Sequence, residues 1–190
     1  MQRIIMALTP SNMLDLGIKA PDFDLPAVNM DKNVKFQDVK GENGTIVMFI
    51  CNHCPYVIHV FQEIVRLAND YQKQGIGVVA ISSNDVENYT EDSPDKMAIV
   101  SKVLQFTFPY CYDESQDVAK AYDAACTPDF YLFDQNDNLA YRGRLDSSRP
   151  GMDVPVTGED LRAAIDTVLS GETVSIDQYP SMGCNIKWKK

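Results

Sequence analysis

"VMFICNHCPYV", residues 47–57, joins an apolar run to two cysteines and a proline. How this stretch is read decides the fold. "TIVMFI" (45–50) is a continuous β-branched and aromatic run, the pattern of a central strand buried on both faces. Pro55 has no N–H, so a helix accepts it only in its first turn. Beyond it Val57, Phe61, Ile64, Leu67, Ala68 and Tyr71 share one helical face. A strand thus runs directly into a helix, and the proline sets the helix start at about residues 51–54. Cys51 is expected at that N-terminal end, where free N–H groups and the helix dipole favour thiolate over thiol. Cys54, one turn on and deeper, is expected to be the resolving partner. A protonated His53 would further stabilise the thiolate and make the disulfide more oxidising.

Outward from this junction the elements alternate. "KAPDFDLPAV" (19–28) reads as a short edge strand flanked by prolines, and "VKFQDVKGENG" (34–44) ends in a Gly/Asn turn. After the helix, Gly75 and Gly77 lead into a second buried strand, "IGVVAIS" (76–82). "NDVENYTEDSPDK" is a polar loop, and Ser93-Pro94 starts a helix running to about Phe106. "SQDVAKAYDA" (115–124) is a shorter helix, and "DFYLFDQNDNLAYRGRL" (129–145) a hairpin turning at QNDN. In "TGEDLRAAIDTVLSGE" (157–172), Thr157 with Asp160 resembles a capping box and Gly171 fits C′. Strand–helix–strand implies a parallel pair, and the hairpin adds antiparallel strands. The expected fold is α/β: a mixed central sheet flanked by helices, in one domain spanning 1–190, with a core of about 16–170 and a C-terminal tail of 172–190.

"ACTPDFYLF" is the second informative spot. A proline directly before a central-looking strand cannot donate to the ladder. Thr127-Pro128 could be cis, turning the chain sharply toward Cys51, or a plain trans proline at the strand's first residue.

Composition narrows the function. With 17 Lys and Arg against 27 Asp and Glu, the net charge is 17 − 27 = −10. Such a surface repels nucleic acid and anionic lipid, and neither is an expected partner. The basic end, Lys187-Trp188-Lys189-Lys190, reads as solvated. No apolar run has the length of a membrane helix. The start, MQRIIMALTPSNM, has no cleavage-site pattern, and the expected location is the cytoplasm. Five cysteines are too few, and odd in number, for a disulfide scaffold; in a reducing compartment a close pair is catalytic or metal-binding. No cofactor is expected.

The CxxC at a strand–helix junction, the Thr-Pro before a hairpin and the closing helix resemble the thioredoxin superfamily. "APDFDLPAV", "TIVMFICNHCP" and "FPYCYDESQDVAKAYDAACTPDFYLFD" are similar to its AhpC/TSA, peroxiredoxin-like branch, over about residues 16–170. The tail "GCNIKW" is similar to that of a subgroup of small bacterial thioredoxin-like proteins with a CxHC motif. The resemblance implies a thioredoxin-like fold with an N-terminal extension and an insertion before the hairpin. It implies Cys51 as attacking cysteine, Cys54 as resolving cysteine, His53 as the histidine of an oxidising CxHC, and Pro128 as the cis-proline. Peroxiredoxins also carry proline and threonine seven and three residues before the peroxidatic cysteine. Here Gly44 and Met48 hold those places relative to Cys51, and Val47 and Cys51 relative to Cys54. The hydroxyl that would help hold a peroxide is absent from them.

Three functions follow. The first is a thiol-disulfide oxidoreductase acting on protein or small-molecule disulfides and thiols through Cys51 and Cys54. The second is a thiol-dependent peroxidase consuming peroxides. The third is a Cu or Zn carrier or sensor using Cys51, Cys54 and His53 with Cys126 or Cys184. Cys126 falls near the motif if Pro128 is cis, and is either a third redox thiol or a small buried hydrophobe. Cys184 is a further redox candidate, exchanging with Cys51 or pairing with Cys126. Cys111, between aromatics, reads as core.

Overall fold

A computed structural model describes residues 8–190. The opening residues 1–7, on which the reading of the N-terminus partly rests, lie outside the described residues. Among the described residues no helix is long and apolar enough to cross a membrane.

The strand expected at 45–50 is β4 (Gly44–Phe49), buried along its whole length. It sits inside a seven-stranded mixed sheet and is preceded in the chain by β1 (Leu8–Pro10), β2 (Asp24–Ala27) and β3 (Lys32–Lys35). A short helix, α1 (Phe36–Val39), lies between β3 and β4. The helix after Pro55 is α2 (Pro55–Gln72). It crosses over to β5 (Ile76–Ser82), which pairs parallel with β4, Ile46 opposite Val78. Then come α3 (Pro94–Val103), β6 (Tyr110–Tyr112), α4 (Asp117–Ala121) and β7 (Cys126–Thr127). The hairpin is β8 (Asp129–Asp134) with β9 (Leu139–Gly143), and α5 (Glu159–Leu169) and β10 (Met182–Asn185) close the chain.

The main sheet runs β3-β2-β6-β5-β4-β8-β9, and a second sheet runs β1-β10-β7. Strand periodicity divides the core into two layers. Ile46, Met48 and Ile50 pack on one face with α2, α3 and α5; Val47 and Phe49 pack on the other with Tyr122, Tyr131 and Phe36. Each such side chain, fully buried, contributes about 1.5–3 kcal/mol, so the strand leading into the cysteines is anchored from both faces.

Several expectations are corrected. β2 is not the sheet edge: β3 lies outside it, and β2 reaches β6 only through Ala27 opposite Cys111. The segment after 104 contains a strand, β6, too short to read from periodicity. Thr157 does not cap α5; Gly158, at φ +69°, holds the N-cap position. Asp146 from the preceding loop accepts the N–H groups of Thr157 and Gly158 at 2.8 and 2.7 Å instead. The tail is not a loose end. Ile186 N–H donates to the Ala125 carbonyl, and Lys187, expected to be solvated, is buried.

Candidate active site

The two cysteines lie where β4 ends and α2 begins. Both are buried, Cys51 with 1% of its surface exposed and Cys54 with none. The helix starts at the late end of the expected range. Its first residue is Pro55 and its N-cap is Cys54, whose carbonyl receives the N–H groups of Val57 and Ile58 at 3.0 Å each. Cys54, not Cys51, therefore occupies the positive end of the helix dipole.

The Thr127-Pro128 bond is cis, and it brings Thr127 against both sulfurs. Thr127 Oγ1 lies 3.3 Å from Cys51 Sγ, and its carbonyl oxygen lies 3.2 Å from Cys54 Sγ. A hydroxyl thus does reach Cys51, but from the cis-proline segment rather than from the strand ahead of it. On the far side of Cys54, Cys184 Sγ lies only 2.6 Å away. Its sulfur contact is thus with Cys54, where Cys51 or Cys126 was expected as partner. Cys184 stands opposite Thr127 in the β10–β7 ladder, one position from Cys126. The Cys126 sulfur lies 3.7 Å from the Pro128 carbonyl instead, and burial pushes its thiol up. Burial likewise pushes Cys111, in the core, up to about 12.

Hydrogen bonding with the Cys184 and Cys51 thiols, and with the Val57 and Cys184 backbone, lowers the Cys54 pKa against the cost of burial. The Cys51 pKa is raised, first by its hydrogen bond to Cys54, then by burial and the nearby charge of Asp92. These directions run opposite to the thiolate expected at Cys51.

His53 is held by a residue that no local pattern singled out. Asp92 closes a 3-10 turn (Thr90–Asp92) and is wholly buried. Its carboxylate accepts Asn52 N–H at 2.7 Å, Asn84 Nδ2 at 2.8 Å and His53 Nδ1 at 2.6 Å. That hydrogen bond raises the His53 pKa, against the opposing effect of burial. Tyr89 stacks on the His53 ring at 5.5 Å. Asn52 also bonds the Glu91 carbonyl and the Tyr110 hydroxyl. The CNHC loop is therefore pinned by the segment after β5, which the sequence showed only as a polar loop.

Cys51, His53 and Asp92 offer donor atoms within 4.8 Å of one another. Both Asp92 oxygens are engaged by Asn52, His53 and Asn84, so the carboxylate holds the loop rather than standing free as a ligand. Cavities of about 600 and 640 Å³ lie beside the end of α5 and the end of α3, and neither is lined by a cysteine.

The AhpC/TSA family profile matches residues 16–142. The fold recurs in an uncharacterized conserved protein from Geobacillus kaustophilus, 56% identical over 97% of each chain with a TM-score of 0.95. A hypothetical protein from Sinorhizobium meliloti 1021 is 45% identical, with 95% of this chain and 98% of that one covered and a TM-score of 0.92. A thioredoxin family thiol:disulfide interchange protein from Chlorobium tepidum TLS shares the fold, with a TM-score of 0.62 at 15% identity, over 83% of this chain and 99% of that one. Among curated proteins none matches.

Proposed function

Because this chain belongs to the AhpC/TSA family, with a thioredoxin-like fold and the thiol-based redox chemistry that membership supports, we propose that it is a thiol-disulfide oxidoreductase working through Cys51 and Cys54. The observation that carries this reading is the contact of one residue with both sulfurs: Thr127 Oγ1 lies 3.3 Å from Cys51 Sγ and its carbonyl oxygen 3.2 Å from Cys54 Sγ, so both cysteines of the CxxC face the cis-proline segment. The Cys51 thiolate attacks one sulfur of a substrate disulfide. A mixed disulfide forms and the first substrate thiolate leaves, taking up the proton that Cys51 gave away. The Cys54 thiolate then attacks Cys51 Sγ, closing the Cys51–Cys54 disulfide and expelling the second substrate thiolate. The substrate gains two electrons and the pair loses two. His53 and Asp92 hold the loop that carries the two cysteines. Pro128 and Thr127 form the wall against which the exchange takes place. The substrates are protein or small-molecule disulfides.

Replacing Cys51 with serine should abolish dithiol-dependent reduction of a model protein disulfide. Undiminished turnover in that variant ends the proposal.

One observation favours a second reading, a thiol-dependent peroxidase: the Thr127 hydroxyl 3.3 Å from Cys51 Sγ. Rapid peroxide consumption that requires both Cys51 and the Thr127 hydroxyl would favour it. Consumption at the rate of an ordinary free thiol would leave the exchange reading alone.

A further inference from the structure

Cys184 is a third sulfur at this site, and the fold holds it there. β10 pairs antiparallel with β1 on one side and β7 on the other, so the ladder fixes Cys184 opposite Thr127. Thr127 is the residue that touches both Cys51 and Cys54. Gly183 permits the approach: a Cβ at that position would lie 2.0 Å from the Thr127 carbonyl oxygen. The chain is pinned on both sides of the cysteine. Upstream, the Ser181 hydroxyl donates to the Pro128 carbonyl at 2.6 Å, and its N–H to Ser11 Oγ at 2.8 Å. Downstream, Lys187 N–H donates to Asn84 Oδ1 at 2.8 Å, and its carbonyl accepts Asp85 N–H and Gln116 Nε2 at 2.8 Å each. A thiol held this firmly, 98% buried and 2.6 Å from Cys54 Sγ, is seated for one partner.

We propose that Cys184 is a redox residue whose partner is Cys54, so that a disulfide formed at Cys51–Cys54 passes to Cys54–Cys184. The Cys184 thiolate attacks Cys54 Sγ. A Cys54–Cys184 bond forms, the Cys51–Cys54 bond breaks, and Cys51 leaves as a thiolate that takes up the proton Cys184 gave away. No electrons are gained or lost in this step; the oxidising equivalents are those the substrate disulfide delivered, and to that extent the transfer rests on the exchange reading above. Its consequence is specific. Cys51 regains a free thiol while the protein remains oxidised, and the tail becomes covalently tied to the N-cap of α2.

The test uses the full chain and diamide, which removes two hydrogens from a pair of thiols. In Cys51→Ser/Cys126→Ala protein treated with diamide, peptide mapping should find Cys54 cross-linked to Cys184, and the cross-link should vanish when Cys184 is also changed to alanine. In oxidised wild-type protein, iodoacetamide should label Cys51, and in oxidised Cys184→Ala protein that label should be lost because Cys51 stays bound to Cys54. The wild-type measurement stands by itself if a variant fails to fold. Wild-type protein that forms only Cys51–Cys54, with no Cys54–Cys184 cross-link, overturns the inference and leaves the exchange reading intact. If wild-type protein forms Cys54–Cys184 but Cys184→Ala protein forms no Cys51–Cys54 bond at any diamide dose, the pairing is upheld and the transfer and the dithiol reading fall together.

Discussion

Two buried carboxylates sit near α2, and they are neutralised in different ways. Glu63, in the middle of the helix and 3% exposed, is held by guanidinium groups on both oxygens. Arg66 approaches Oε2 and Arg162 of α5 approaches Oε1, each at 2.7 Å. Asp92, at the start of the helix and wholly buried, is held by the His53 imidazole and by two neutral donors. Arginine does not deprotonate in a protein, so the Glu63 clamp is a permanent part of the α2–α5 packing. Imidazole titrates near neutrality, so the charge around Asp92 can change with the state of its surroundings. The Asp92 charge pushes the Cys51 pKa up, and charge on Cys54 pushes the His53 pKa up. One network holds two helices together. The other couples a proton to the sulfurs.

The contrast can be broken by mutation, and the largest effect is expected at Asp92. Asp92→Ala leaves Asn84 Nδ2, Asn52 N–H and His53 without their acceptor in a buried place. It should cost about 3–5 kcal/mol in urea unfolding, with faster hydrogen exchange at the Asn52 amide. A cost below that of the Glu63 variant would invert the comparison. Glu63→Ala is expected to cost about 2 kcal/mol, since Arg162 keeps Asp70 at 2.9 Å. It should leave the reactivity of Cys51 unchanged.

The pH dependence comes next. The folded His53 pKa lies above its ordinary value of 6.5 because Asp92 accepts its hydrogen bond. Protonation therefore stabilises the fold. That contribution is complete below pH 6.5 and is lost as the pH rises through the higher folded value. Stability measured across this range should fall on the alkaline side in wild-type protein and should show no such fall in His53→Gln. An equal fall in the variant would show that another group titrates. Smallest is Arg66→Ala: the side chain is 58% exposed, and removing it should cost about 0.5 kcal/mol, measured by the same unfolding experiment.

What the sequence revealed was local. Pro55 announced a helix start, "TIVMFI" a doubly buried strand, and Cys51-Asn52-His53-Cys54 the junction between them. Thr127-Pro128 was visible because proline before a strand is rare, though its contact with both sulfurs was not. The range read for the helix start, 51–54, left open which cysteine stands at it; the N-cap is Cys54, with Pro55 the first helical residue, whereas Cys51 was expected there. Asp92 escaped notice because it sits among other acids in "NDVENYTED", and nothing in its neighbours tells which carboxylate turns inward. Cys184 was visible as a candidate with the wrong partners. Its neighbour is set by the pairing of β10 with β7, and Cys54 lies 130 residues away in the sequence. Gly183 was the one hint, since a glycine beside a cysteine in a tail marks a close approach to another backbone.

The central claim is that Cys51 and Cys54 form a working dithiol although both are buried. The most direct measurement equilibrates the folded chain with graded ratios of reduced to oxidised dithiothreitol, traps free thiols with an alkylating agent, and reads the intact mass. The account predicts a two-electron transition in the native protein that disappears in Cys54→Ser. A protein whose thiols stay reduced at every ratio, and react only once it is unfolded, would contradict it.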